Sequence, residues 1–233
     1  MLAAEGRVVM VSGASRGIGA AVAARLAGAG YRLSLGVRNP ALPPVGDPRN
    51  CLVARYDASE REAAQQWVAA TLARFGRIDA VVNNAGILNR TGIEDEDERA
   101  LDRLWLINVK APLRVIRAAL PSLKRSGAGR VVNIASLAGK RVRNADTGYA
   151  MSKFALMALT HGVRRLGWEH GIRASAVCPG FVATDMSAGA PGVERAAMIQ
   201  PEDLAEVVAL LLALPNNAAI AELLVNMRFE DTL

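Results

Sequence analysis

The chain of 233 residues predicts an α/β fold, doubly wound, in which one parallel β-sheet is covered by helices on both faces. Three observations carry that prediction. Short apolar, strand-like runs alternate with longer helix-prone stretches along the whole chain. The strand-like runs are apolar at successive positions, as strands buried on both faces are. And the first of them ends in a glycine-rich turn that opens an alanine-rich, helix-prone stretch.

Residues 7–12 read as the first strand, followed by the turn Gly13-Ala14-Ser15-Arg16-Gly17-Ile18-Gly19 and a helix over 20–30. A second strand spans 31–37. Pro40, Pro43, Pro44 and Pro48 make residues 39–50 a stiff connector within the domain. Strands at 51–55 and 78–83 flank a helix at 59–75, and a long helical stretch then runs from about 98 to 126. Its approach, Glu94 to Glu98, is an acidic run suited to the positive end of a helix dipole. A strand at 130–135, a helix at 148–170, a strand at 172–178, a helix at 201–214 and a strand at 221–227 complete the chain. This length suits a single domain over 1–233.

Composition excludes several function classes. Hydrophobic residues make up 52% of the chain and mean hydropathy is +0.19. No apolar run reaches the ~20 residues of a membrane span, and the N-terminus carries no secretion signal, so a soluble cytoplasmic protein without membrane partners is expected. A net charge of +6 raises nucleic acid as a partner. The arginines are scattered, however, and aromatics are only 4%, which disfavours nucleic acid and favours an anionic small ligand. Cys51 and Cys178 read as buried free thiols, and His161 and His170 lack the company that a metal site needs, so no metal is expected.

The glycine turn suits a pyrophosphate: Gly13, Gly17 and Gly19 leave room for backbone amides and the helix dipole to approach it. An acidic residue for a ribose 2′-hydroxyl is missing at the end of the second strand, where Arg38 stands instead. Arg38, with Arg16 from the turn, can pair with a 2′-phosphate, so NADP(H) is expected over NAD(H). Tyr149 and Lys153 stand four apart, on one helix face, with Ser136 upstream. A nearby ammonium lowers a phenol's pKa, which would make Tyr149 a general acid/base.

Ser12-Gly13-Ala14-Ser15-Arg16-Gly17-Ile18-Gly19, Asn83-Asn84-Ala85-Gly86, Asn108-Val109, Ser136, Tyr149-x-x-x-Lys153 and Pro179-Gly180 occur together in order. In order and spacing they resemble the short-chain dehydrogenase/reductase family over nearly the whole chain. The resemblance implies a Rossmann fold with a seven-stranded parallel sheet, a nicotinamide cofactor and reversible hydride transfer with a small ketone, aldehyde or secondary alcohol. It implies Tyr149 as general acid, Lys153 as its pKa-lowering partner and ribose ligand, Ser136 as polariser of the substrate oxygen, and Asn108 as holder of a water linking Lys153 to solvent. Asp57 would meet the adenine amino group. Gly13, Ser15, Arg16, Gly17, Ile18, Gly19, Arg38, Asn83, Ala85 and Gly86 would line the cofactor, and Pro179, Gly180, Val182 and Thr184 would position its carboxamide; Asn84 reads as structural. It also implies a homodimer or homotetramer.

Residues 185–200, including Gly189, Pro191 and Gly192, resemble a lid over the substrate. Lys140, Arg141 and Arg143 border the expected cleft and are candidates to receive an anionic substrate group, or form a solvated loop. Two other functions compete: a catalytically silent nucleotide sensor or scaffold, and a cofactor-using epimerase or dehydratase. The complete Asn108, Ser136, Tyr149, Lys153 set argues against the first. The short C-terminal portion leaves little room for the sugar-nucleotide domain of the second.

Overall fold

The structure, a computed structural model, describes residues 1–41, 45–189 and 192–229. Pro43, Pro44 and Pro191 lie outside the described residues. Seven strands form one parallel sheet in the order β3-β2-β1-β4-β5-β6-β7. They are β1 (Val8–Ser12), β2 (Arg32–Val37), β3 (Cys51–Arg55), β4 (Ala80–Asn83), β5 (Arg130–Ile134), β6 (Arg173–Pro179) and β7 (Glu222–Val225). The helices are α1 (Gly17–Gly28), α2 (Ala63–Phe75), α3 (Arg99–Trp105), α4 (Ala111–Arg125), α5 (Thr147–Gly167) and α6 (Pro201–Ala213). Strand order reverses between β1 and β4, and in an open α/β sheet the crevice for a ligand lies there, outside the carboxyl ends of the strands.

Alternation along each strand builds a core on both faces. Val9 and Val11 of β1 pack with Val22 and Leu26 of α1 and Leu204 and Val208 of α6, while Met10 between them packs with Trp67 of α2 and Val115 of α4. All of β1 is buried, which is why its sequence shows no polar face. Burying each such Val or Leu side chain stabilises the fold by about 1.5–3 kcal/mol.

Two expected elements differ. The helix expected from 59 begins at Ala63, because Asp57 accepts from the Ser59 amide at 2.9 Å and forms a turn there. The long helix expected over 98–126 is broken by a π-helical turn, Leu106–Lys110, between α3 and α4. Pro112 supplies the reason: without an N–H it cannot donate to the Asn108 carbonyl four residues back.

At the amino ends of the strands, three arginines satisfy backbone carbonyls near the helix C-termini. Arg7 donates to Leu212 O and Ala128 O, Arg130 to Gly129 O and Leu214 O, and Arg173 to Trp168 O and Asn216 O. Helix C-termini leave carbonyls unpaired and carry negative partial charge, so guanidinium groups suit them.

Candidate active site

The turn after β1 has the shape the glycine pattern predicts. Gly13 and Gly17 adopt φ of +67° and +55°, which side chains disfavour. Gly19 is needed for close packing, since a Cβ there would fall 2.3 Å from the Gly13 carbonyl oxygen. Among the described residues the N-terminus of α1 has no side-chain cap, and its first turn holds no acidic residue, which leaves its amides directed outward for an anion. A dinucleotide pyrophosphate therefore fits these residues. Ser15 and Arg16 are exposed beside the turn, and Ile18 is half-buried against the core. Asn84 fastens the turn from β4, donating to Ser12 O at 3.0 Å and Gly13 O at 3.2 Å, a structural role as expected.

Arg38, exposed, directly follows β2, and Asp57 follows β3 close enough for Arg38 to help hold its carboxyl below the usual range; the main cause there is hydrogen bonding from Ser59. Arg16 reaches across to the segment after β6 and pairs with Asp185 at 2.9 Å. Asn83 donates to Asn133 at 2.8 Å, while its Oδ1, buried, has no partner among the described residues. Ala85 and Gly86 continue from it along the crevice. A Cβ on Gly86 would lie 3.2 Å from Asn108 Oδ1 and 3.9 Å from Lys153 Nζ, so this loop lies directly against both residues.

Ser136, Tyr149 and Lys153 meet at the carboxyl end of β5. Ser136 caps the 3₁₀ turn Leu137–Gly139, accepting from Ala138 N at 3.1 Å, and its hydroxyl is in hydrogen-bonding reach of the Tyr149 phenol. Lys153 is buried, donates to Ile134 O at 3.0 Å and lies 5.7 Å from the centre of the Tyr149 ring. The expected effect of Lys153 on the tyrosine differs here. Burial pushes the phenol up to about 12, and Ser136 is the group that lowers it. Burial also pushes Lys153 down to about 8, because both charged forms lose water.

Asn108 sits in the π turn. Its Oδ1 accepts from Ile87 N at 2.9 Å, and its Nδ2 donates to Ile87 O and to Ser152 Oγ, each at 3.0 Å. Ser152, wholly buried, donates in turn to Tyr149 O at 2.7 Å. Sequence reasoning missed Ser152 and Ile87. A serine inside Tyr149-Ala150-Met151-Ser152-Lys153 is a signal for the first; the second acts through its backbone, which no residue type reports.

At the end of β6, Pro179 and Gly180 lead into the segment that follows it. Gly180 N donates to Val225 O at 2.9 Å, Val182 pairs with Ile199, and Thr184 caps the short turn Asp185–Ser187 over Gly17. Beyond the two readings open for the cation loop, the structure gives Lys140 a third role. Lys140 forms a 2.6 Å ion pair with Glu222, so its ammonium faces β7 instead of awaiting a substrate anion. Arg141 is half-buried and Arg143 exposed.

A family model described as short chain dehydrogenase matches residues 7–192. Agropine synthesis reductase of Rhizobium rhizogenes is 44% identical over 217 residues, covering 91% of this chain and 50% of that protein. The chain thus spans about half the length of the curated relatives it matches first. Among solved structures, an alcohol dehydrogenase from Thermococcus sibiricus complexed with 5-hydroxy-NADP is 30% identical, with a TM-score of 0.82 and coverage of 94% of this chain and 95% of that one. A 3-ketoacyl-(acyl-carrier-protein) reductase from Brucella melitensis complexed with NADH is 26% identical, with a TM-score of 0.87 and coverage of 96% and 98%.

Proposed function

The chain belongs to the short-chain dehydrogenase family, and from that premise we propose that it is an NADP(H)-dependent oxidoreductase reducing a small ketone or aldehyde, or oxidising the matching secondary alcohol. The observation that carries this reading is the convergence of Ser136, Tyr149 and Lys153 beside a glycine turn shaped for a pyrophosphate. A bound nicotinamide supplies or accepts the hydride. The chain's own residues manage the proton. Tyr149, kept protonated by burial, donates its phenolic proton to the carbonyl oxygen, which the Ser136 hydroxyl orients and polarises. As the phenol gives up that proton its charge grows, and the Lys153 ammonium nearby opposes the cost. With its pKa near 8, Lys153 can pass a proton on and recover one at neutral pH.

Asn108 completes the path through its backbone more than its side chain. Its amide group is engaged by Ile87 and Ser152, whereas Pro112 denies its carbonyl the usual helical donor, leaving that oxygen available to a water next to Lys153. For the cofactor, Arg38 supports a 2′-phosphate, facing the adenosine end beside Asp57. Arg16 joins it, since its exposed pair with Asp185 is worth little and yields readily to a phosphate. Gly13, Ser15, Gly17, Ile18, Gly19, Asn83, Ala85 and Gly86 would line the nucleotide, and Pro179, Gly180, Val182 and Thr184 would hold its nicotinamide carboxamide, with residues 185–200 as the lid.

NADPH absorbance followed against a panel of small ketones and aldehydes tests this reading. Consumption by the wild type is expected, and Tyr149→Phe should lose it by about 10²- to 10⁴-fold. A wild type that oxidises NADPH with no carbonyl on the panel, or a Tyr149→Phe that turns over normally, would sink it.

A further inference from the structure

Glu222 opens β7, and its two carboxylate oxygens reach two other elements. Oε2 accepts from Lys140 Nζ at 2.6 Å and Oε1 pairs with His161 Nε2 at 2.7 Å. Lys140 immediately follows the turn Leu137–Gly139 that Ser136 caps. His161 stands on α5 about two helical turns beyond Lys153. One carboxylate therefore joins the segment carrying Ser136 to the helix carrying Tyr149 and Lys153.

The same junction is tight in its backbone. A Cβ on Gly139 would come within 2.9 Å of the Lys153 carbonyl oxygen, so the turn rests directly on the catalytic helix. At the turn's other end, Leu137 is buried with Leu156, Met157 and Cys178. The turn is thus fastened by an apolar plug on one side and an ion pair on the other. Water is partly excluded from the pair, with the Lys140 and Glu222 side chains 30% and 20% exposed, which makes it stronger than a freely solvated one. The charged or titratable groups facing Glu222 are Lys140 from the turn, His161 from α5 and the Cys178 thiol from β6.

The geometry points to Glu222 as a positioning residue for Ser136, one that sets the serine hydroxyl against the Tyr149 phenol by holding Lys140 and His161 together. This rests on the reading of Ser136 and Tyr149 as polariser and acid. It also gives the cation next to the cleft an internal task, so discrimination between acidic and neutral carbonyls does not depend on Lys140. A hydroxyl that must serve both a phenol and a substrate oxygen tolerates little displacement, and errors of about 1 Å cost on the order of 10²-fold in rate.

The test compares wild type with Glu222→Gln, Lys140→Met and Lys140→Arg by carbonyl reduction over a range of NADPH concentrations, and by hydrogen exchange of the backbone over residues 134–142. Glu222→Gln and Lys140→Met should lower kcat by about 5- to 50-fold with KM for NADPH within about twofold of wild type, and should speed exchange of the turn amides. Lys140→Arg, which keeps a charged donor, should restore most of both. Single variants with unchanged kcat and unchanged exchange overturn the proposal, as does a Lys140→Arg no better than Lys140→Met. Faster exchange in the variants of a wild type that reduces no carbonyl would sustain the hold and sink the oxidoreductase reading. Unchanged exchange sinks the hold whatever the turnover.

Discussion

The two rims of the sheet are built to opposite rules. At the carboxyl rim, among the described residues, the α1 N-terminus carries no side-chain cap, Asn83 keeps a buried oxygen unpaired, and Ser136 is gathered with Tyr149 and Lys153, whose pKa values are displaced by burial. At the amino rim, Arg7, Arg130 and Arg173 spend their donors on carbonyls near the ends of α4, α5 and α6. Even there burial has its effect, pushing Arg130 down to about 10 with help from Arg7 and Arg173, which still leaves it charged at neutral pH. The contrast follows from helix direction in a doubly wound fold. Every crossover helix presents amides at one rim and carbonyls at the other, so one rim is predisposed to anions and the other has to be closed by the chain's own cations.

Substitutions on the two rims should therefore separate function from stability. The largest effect is expected from Gly19→Ala, where the added methyl meets the Gly13 carbonyl: NADPH affinity should fall by at least about 100-fold in fluorescence titration, with a stability loss of about 1–3 kcal/mol. Arg38→Asp should weaken NADPH binding by about 10- to 100-fold while NADH binding holds or improves; equal losses for both would remove the 2′-phosphate role. A pH profile of kcat/KM for carbonyl reduction should fall as pH rises through about 8, because Lys153 loses its ammonium there while Tyr149 stays protonated to about 12. A profile flat to pH 10 would remove Lys153 from the rate. The smallest functional effect belongs to the amino rim. Arg130→Met leaves Leu214 O and Asn216 Oδ1 without their donor and should cost about 1–3 kcal/mol in denaturant unfolding with no change in NADPH affinity. A cofactor defect there as large as that of Arg38→Asp would erase the distinction between the rims.

Much of the carboxyl rim was legible in the sequence because its chemistry is written in local patterns. Glycines at 13, 17 and 19 encode a turn, and Tyr149 with Lys153 encodes a helix face. The sheet was legible for a similar reason, since burial on both faces leaves continuous apolar runs at 8–11 and 176–178. What could not be read is what arises between distant residues. Lys140 reads from the sequence as either a substrate-facing cation or part of a solvated loop, because nothing in its neighbourhood discloses Glu222, brought to it only when β7 joins β6. The displaced phenol of Tyr149 is likewise a property of burial in the folded chain, which spacing does not encode. The interruption at Leu106–Lys110 had a visible cause in Pro112, yet a proline within a helical run is compatible with a kink as well as with a π turn.

That π turn has a consequence for how the chain can vary in length. A π turn holds one residue more than the α-helical path needs, so removing any single residue from 106–110 should let α3 and α4 fuse into one regular helix. Because the wide turn already accommodates the extra residue, the fused helix would keep α3 and α4 close to their present phase. What such a deletion removes is the bulge itself, from which the Asn108 side chain meets Ile87 and Ser152. A one-residue deletion here is therefore absorbed by the two helices and felt at Asn108, and the spacing between Asn108 and Pro112 matters as much as either residue.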